Sequence, residues 1–224
     1  MKEVTMSYIT REMAERALTK MKNFHADLDR LFQDHGMNLK ENLGRRNILL
    51  SQAQEKFFAE ELATAYEGVI SDGRTGQPDI VIESIGKELE CKLTSKTKSG
   101  AYSFQSDFET LQKKGSLDYL YVVADENFEK FTVLHYEGLT TQDFRHLSPG
   151  ARGKVSMKKH VANKKLNRVY GDLASKSLKQ IKRLEDLLAR DDIPNYMQKK
   201  YNKSLTYWKT EPEKYTVILE DIGE

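Results

Sequence analysis

Two carboxylates and one lysine lie in a stretch of the chain whose pattern predicts two neighbouring β-strands. Asp79 opens the apolar run at residues 79–83, and Glu90 and Lys92 belong to the alternating polar and apolar run at residues 88–93. Side chains two positions apart on a strand point to the same face, so Glu90 and Lys92 share a face. A tight turn between the runs predicts a β-hairpin, which would bring Asp79 within reach of the other two side chains.

This set of residue types is suited to hydrolysis of a phosphodiester. A hard divalent cation such as Mg²⁺ takes oxygen ligands and commonly binds through one or two carboxylates while keeping several waters. Such a cation neutralises charge on the phosphate and acidifies a water molecule. Lys92 could deprotonate or orient that water, or stabilise charge on the phosphate, and the sequence leaves these roles open.

The remainder of the chain predicts the elements that would position these residues. Apolar residues recur every three or four positions from Ile9 to Leu31, which indicates one face of a helix that ends near Gly36. Ser51 and Gln54 form a capping-box pattern that predicts the start of a second helix. Further strands are predicted at residues 69–71, 119–123, 131–136 and 215–219, a further helix at residues 104–111, and a mostly helical region beyond residue 150.

An E-x-K sequence is common by chance in a chain with 36 Lys or Arg and 34 Asp or Glu, so its context decides its meaning. Here Pro78-Asp79 opens the preceding strand, eleven residues before Glu90-Cys91-Lys92, and the predicted order is helix, three strands, helix, strand. Over roughly residues 51–136 this pattern resembles the PD-(D/E)XK nuclease superfamily. The flanking helical regions are similar to those of type II restriction endonucleases.

The resemblance implies a fold, an activity and a set of site residues. The fold is α/β, with a mixed central sheet flanked by helices and helical additions at both ends. Asp79 and Glu90 would bind Mg²⁺, for which Mn²⁺ could substitute, and Lys92 would be the catalytic lysine. A site-specific deoxyribonuclease acting on double-stranded DNA is expected, as a homodimer in the cytoplasm of a bacterial or archaeal cell.

Members of this superfamily often carry a further acid on the preceding helix and a glutamine on the following one. Glu55 is the preferred helix acid because it lies one turn before Phe58 and in line with Leu62, with Glu60 and Glu61 as alternatives. Gln105 lies at the place expected for the glutamine. Cys91 is interpreted as a small buried residue on the opposite face of its strand.

Positive charge is concentrated in residues 145–183. Twelve Lys or Arg and one acidic residue give this segment +11, so the overall charge of +2 leaves −9 for the remainder. Such a segment is typical of a surface that contacts nucleic acid. The candidate DNA contacts here and beside the catalytic strand are Ser95, Ser99, Gln105, Arg152, Lys154, Lys158, Lys159, Asn163, Lys164 and Arg168.

The chain is predicted to divide into three regions: helical residues 1–50, a nuclease core at 51–145, and a basic, mostly helical DNA-binding and dimerisation region at 146–224. A single cysteine and an N-terminus without an apolar stretch favour the cytosol. Two alternative functions remain open. One is a structure-specific repair or recombination nuclease, and the other is a non-catalytic DNA-binding protein on a nuclease-like core.

Overall fold

A mixed six-stranded sheet carries the residues singled out above. The computed structural model describes residues 7–74, 77–95, 104–147, 153–158, 161–162, 165–171, 176–190 and 192–210. Its helices are α1 (Arg11–Asp34), α2 (Leu43–Leu62), α3 (Phe108–Lys114), α4 (Lys176–Leu188) and α5 (Asn195–Thr210). Its strands are β1 (Val69–Ile70), β2 (Ile80–Ile82), β3 (Lys87–Ser95), β4 (Gln105–Asp107), β5 (Leu117–Ala124), β6 (Phe131–Leu139), β7 (Lys154–Ser156) and β8 (Leu166–Gly171).

The strand order in the main sheet is β1-β2-β3-β5-β6-β8. Strands β3 and β5 run parallel, and the other neighbouring pairs are antiparallel. Strands β4 and β7 form a separate two-stranded antiparallel ribbon. The expected α/β class, with a mixed central sheet flanked by helices, is therefore confirmed. No helix in the described part of the chain is both long and apolar enough to cross a membrane.

Apolar layers cover both faces of the sheet. Leu120 and Val122 of β5 pack in the layer that includes buried residues of α1 and α2. Tyr119 and Tyr121 of the same strand pack in the opposite layer, with Leu111 of α3 and residues of the β4–β7 ribbon. All eight residues of β5 are buried as a result, as the continuous apolar run at residues 119–123 predicted.

Helix α2 begins eight residues earlier than its predicted start at Ser51. Asn42 caps it, since its side-chain oxygen accepts a hydrogen bond from the backbone N–H of Arg45 at 3.0 Å. The Ser51 hydroxyl instead donates to the carbonyl of Ile48, one turn back. The predicted boundary between residues 50 and 51 therefore falls inside a continuous helix.

One further prediction about local structure is wrong. Residues 105–107 form β4 because they pair with β7, and helix α3 starts only at Phe108, where Asp107 accepts from the N–H of Thr110. The described part of the region beyond residue 150 is mostly helical, as predicted, through α4 and α5, but it also supplies β7 and β8, and β8 completes the main sheet beside β6. The terminal strand predicted at residues 215–219 lies outside the described residues.

Arg46 fixes the first turns of α2 against the sheet. Its side chain is fully buried and donates to the Ser95 hydroxyl at 3.0 Å, the Asp125 carbonyl at 3.1 Å and the Glu126 carbonyl at 2.6 Å. Its guanidinium also lies 5.0 Å from the centre of the Phe128 ring. This one side chain therefore joins α2 to the end of β3 and to the β5–β6 turn.

Replacing Arg46 with methionine should lower the free energy of unfolding by roughly 3 kcal/mol, because several acceptors lose their donor where water has little access. Urea unfolding followed by circular dichroism measures the change. Arg45→Met is the matched control, since Arg45 is exposed on the same helix. Equal stability of the two variants would contradict this account of Arg46.

A polar cluster ties the chain before α1 to the other end of the sheet. Tyr8 donates to Asp118 at 3.1 Å, and the Ser7 hydroxyl lies 2.8 Å from Nδ1 of His135. Burial lowers the pKa of His135 to about 4 and outweighs the opposing influence of the Glu137 and Asp118 carboxylates. His135 therefore stays neutral in the folded protein at a pH where an unfolded histidine is charged.

Acid should destabilise the protein through His135. Between pH 6.5 and about 4 the unfolded chain takes up a proton at this residue that the folded chain does not, so stability falls as the pH falls through this window. The loss should reach roughly 3 kcal/mol. Unfolding free energies at several pH values should show a flatter profile for His135→Gln, whereas His146→Gln, at an exposed histidine, should keep the wild-type profile.

Candidate active site

The β2–β3 hairpin brings Asp79, Glu90 and Lys92 together. Strands β2 and β3 pair with Ile80 opposite Leu89, and Gly86 makes the turn between them with a φ of 61°, in the left-handed region that glycine adopts readily. Oδ2 of Asp79 accepts a hydrogen bond from the backbone N–H of Cys91 at 2.7 Å. Lys92 Nζ donates to Oε1 of Glu90 at 2.5 Å. The expected convergence of two acids and one ammonium group is present.

Alternation along β3 separates the site from the apolar layer beneath α2. In the register with β5, Glu90 pairs with Tyr119 and Lys92 with Tyr121, whereas Cys91 packs in the opposite layer. Burial raises the pKa of the Cys91 thiol well above its usual value. The prediction of a small, buried cysteine on the far face is confirmed, and a thiol in this state is a poor nucleophile.

Helix α2 brings one of its three candidate acids to the hairpin. Burial, followed by the charge of Asp79, raises the pKa of the half-buried Glu55 to about 7. Glu61 is instead paired with Arg16 at 2.5 Å and with Lys20 at 2.8 Å, both on α1. Lys20 also binds Glu60, at 2.9 Å. Glu55 therefore adjoins the site, while the other two acids hold α1 against α2.

The carboxylates keep a surplus of negative charge despite the lysine. Burial raises the pKa of Asp79 to about 6, and the charge of Glu90 adds to this, while Lys92 and the N–H of Cys91 act in the opposite direction. Burial alone would lower the pKa of Lys92, but the charges of Glu90 and Asp79 outweigh it and the pKa is raised. Lys92 is therefore an ammonium ion in this arrangement and not a free base.

The donor set fits a hard divalent cation. In the described part of the chain no three His, Cys, Asp or Glu side chains are drawn close enough together to enclose a metal. Mg²⁺ does not need such an enclosure, since one or two carboxylates with waters suffice. Asp79 and Glu90 provide these oxygens. Burial, with a smaller contribution from neighbouring carboxylates, raises the pKa values of Asp79 and Glu55, and a bound cation would favour their ionised forms.

The structure does not gather the other candidate residues around the acids. The Ser95 hydroxyl accepts hydrogen bonds from Arg46 and Asn47, both at 3.0 Å, and so belongs to an internal network. Lys158 Nζ donates to the carbonyl of Gln142. Lys154 is exposed on β7.

The prediction that Gln105 lies on a helix is wrong, because it is an exposed residue of strand β4. Arg168 pairs with Leu134 in the register between β8 and β6. Ser99, Arg152, Lys159, Asn163 and Lys164 lie outside the described residues.

Sequence reasoning missed two contacts at the margin of the site. Lys114 of α3 donates to Oε1 of Gln77 at 3.1 Å and to Oε1 of Glu88 at 2.9 Å, which ties the residue before Pro78 to strand β3. Tyr119 lies beside Glu90 in the sheet register, and its hydroxyl is 2.5 Å from that of Ser106. Both contacts depend on long-range packing, so neither leaves a local signal in the sequence.

No model of a known protein family matches the chain, and no curated protein matches it. Function is therefore inferred from the residues and their geometry.

Neutralising Glu55 should stabilise the protein when divalent ions are absent. At pH 8 in EDTA the carboxylate is ionised above its raised pKa of about 7, and the fold bears the cost of that charge. Glu55→Gln should raise the free energy of unfolding by roughly 1 kcal/mol, after allowance for solvent screening of a half-buried side chain. Urea unfolding measures the gain.

The control for this experiment is Glu60→Gln on the same helix. Glu60 is exposed and paired with Lys20, so its neutralisation should give no gain. A Glu55→Gln variant as stable as the wild type, or less stable, would show that Glu55 is not under electrostatic strain.

Proposed function

We propose that the protein is a Mg²⁺-dependent endonuclease of the PD-(D/E)XK type that hydrolyses phosphodiester bonds of double-stranded DNA. The observation that carries the proposal is the site on the β2–β3 hairpin, where Cys91 N–H binds Asp79 and Lys92 binds Glu90. Here a single ammonium group faces Glu90, Asp79 and Glu55, which is the surplus of oxygen ligands that metal-assisted hydrolysis uses.

The arrangement of elements supports the same proposal. Helix α2 precedes β1, β2 and β3, and β5 follows α3 and lies parallel to β3. This order of helix, three strands, helix and strand is the one that the resemblance to PD-(D/E)XK nucleases implies. Strand β4 and the flanking elements α1, β8, α4 and α5 would be additions specific to this chain.

Each residue of the site has a distinct role in the proposed reaction. Asp79 and Glu90 would hold the cation, which when bound neutralises charge at the phosphate and acidifies the attacking water. Lys92, as an ammonium ion, would stabilise negative charge on the phosphate and orient the water, because its raised pKa does not suit a general base. Glu55 would accept a hydrogen bond from water at the edge of the site.

DNA is the favoured substrate because of the charge and position of the β4–β7 ribbon. Ser106 of β4 contacts Tyr119, the neighbour of Glu90, so the ribbon adjoins the catalytic face. Lys154 of β7 is exposed, and so is Arg145, whose N–H bonds to Ser156 of the same strand. These two cations and the basic segment around them could bind phosphates. A homodimer is part of the proposal, since two-fold proteins suit palindromic sites.

Incubation with supercoiled plasmid and Mg²⁺ tests the activity. Discrete linear fragments with uniform ends would support a type II restriction enzyme. Cleavage of branched DNA in preference to linear duplexes would point to a structure-specific nuclease with the same catalytic residues. If plasmids and branched DNA of several sequences all stay intact with Mg²⁺ and with Mn²⁺, that result would count against the proposal.

Asp79→Asn should reduce cleavage at least about a hundredfold, since it removes one anionic ligand of the cation. Binding to DNA, measured by fluorescence anisotropy, should be unchanged or stronger because a negative charge beside the phosphate is lost. Asp72→Asn, in the exposed loop before the site, should leave both properties unchanged. A non-catalytic DNA-binding protein would instead show no cleavage in any of the three proteins.

A further inference from the structure

Lys92 and Glu90 form the shortest contact within the proposed site. Nζ lies 2.5 Å from Oε1, where the Glu90 side chain is 10% exposed and the Lys92 side chain is 33% exposed. Water therefore has little access to the carboxylate, and the attraction between the two charges is correspondingly stronger than at a surface. The ammonium group occupies an oxygen that the proposed function assigns to the divalent cation.

A divalent cation bound to Glu90 would lie close to the Lys92 ammonium group, and the two positive charges would repel each other. Asp79 relieves this repulsion only in part, because its Oδ2 already accepts the N–H of Cys91. An ion that binds both Asp79 and Glu90 is therefore held weakly while Lys92 stays on Glu90.

We propose that Lys92 is an internal counter-ion that neutralises Glu90 in the absence of metal and moves away from Glu90 when a divalent cation binds. This inference rests on the proposed function, because it concerns the same site. The four-carbon stem of Lys92 and its partial exposure allow the ammonium group to move outward while its stem stays packed. The charge that held Glu90 would then be available to a phosphate.

The exchange makes metal binding depend on DNA. Without DNA, the displaced ammonium group has water in place of its carboxylate partner. The loss of this ion pair weakens metal binding. With DNA, a backbone phosphate takes over as its partner, so each ligand strengthens the binding of the other. Lys92 would thereby delay full occupation of the site until a substrate is present.

A different role for the contact makes the opposite prediction. If Lys92 simply orients Glu90 for the metal, its removal should weaken metal binding. Lys114 offers a matched control, because its ammonium group lies 2.9 Å from Glu88, two residues before Glu90 on the same strand. Loss of either lysine changes the net charge equally, but only Lys92 touches the proposed ligand.

Titration calorimetry with Mn²⁺ in the absence of DNA tests the inference. Lys92→Met should bind Mn²⁺ at least about tenfold more tightly than the wild type, since it removes the competing cation. Lys114→Met should stay within about threefold of the wild type. Asp79→Asn should lose most of the binding in either background, which would locate the ion. Circular dichroism checks the fold, and Lys92→Gln replaces the methionine variant if that variant unfolds.

The outcomes separate the two proposals. Unchanged or weaker Mn²⁺ binding by the folded Lys92 variants, or an equal gain in Lys114→Met, would overturn the counter-ion role and leave the nuclease proposal standing. If no folded protein, wild type included, binds Mn²⁺ either without DNA or with a DNA duplex, the result would count against the nuclease proposal itself.

Discussion

The register of the β2–β3 hairpin holds like charges together in a place that water reaches poorly. Asp79 accepts a backbone N–H of β3 and Glu90 is paired with Lys92 on the same strand, which keeps the two acids near each other. Burial and this proximity raise the pKa of Asp79, and Glu55 meets the same conditions from α2. The rest of the fold can be understood as the frame that keeps these groups in position.

That frame depends on the two apolar layers around β5. The layer beneath α2 buries Phe58 and Leu62 of the helix with Leu89 and Cys91 of β3, so the helix cannot slide along the sheet. Glu55 lies on the same helix, close enough to Asp79 for the charge of Asp79 to raise the pKa of Glu55. The ion pairs of Glu60 and Glu61 with α1 explain why one helix carries three acids and presents one of them to the hairpin.

Local patterns in the sequence predicted the elements that depend mainly on residues close together in the chain. Alternation indicated β3, a continuous apolar run indicated β5, and the spacing of Asp79, Glu90 and Lys92 indicated their convergence. Features set by long-range contacts escaped prediction. Residues 105–107 became a strand because β7 pairs with them, β8 joined the sheet through β6, and α2 extended back to a cap at Asn42. Arg46 gave no signal, since an arginine is usually exposed.

The charge balance of the site argues against a purely structural role. Replacing a buried ion pair with apolar side chains is often neutral or stabilising, so a cluster with surplus charge is a cost to the fold. Three carboxylates and one ammonium group leave two negative charges, and a divalent cation brings two positive ones. Lys92 pairs with Glu90 and only partly offsets the burial and the neighbouring carboxylates that raise the pKa values of Asp79 and Glu55. This unbalanced charge supports the proposal that a divalent cation binds at the site.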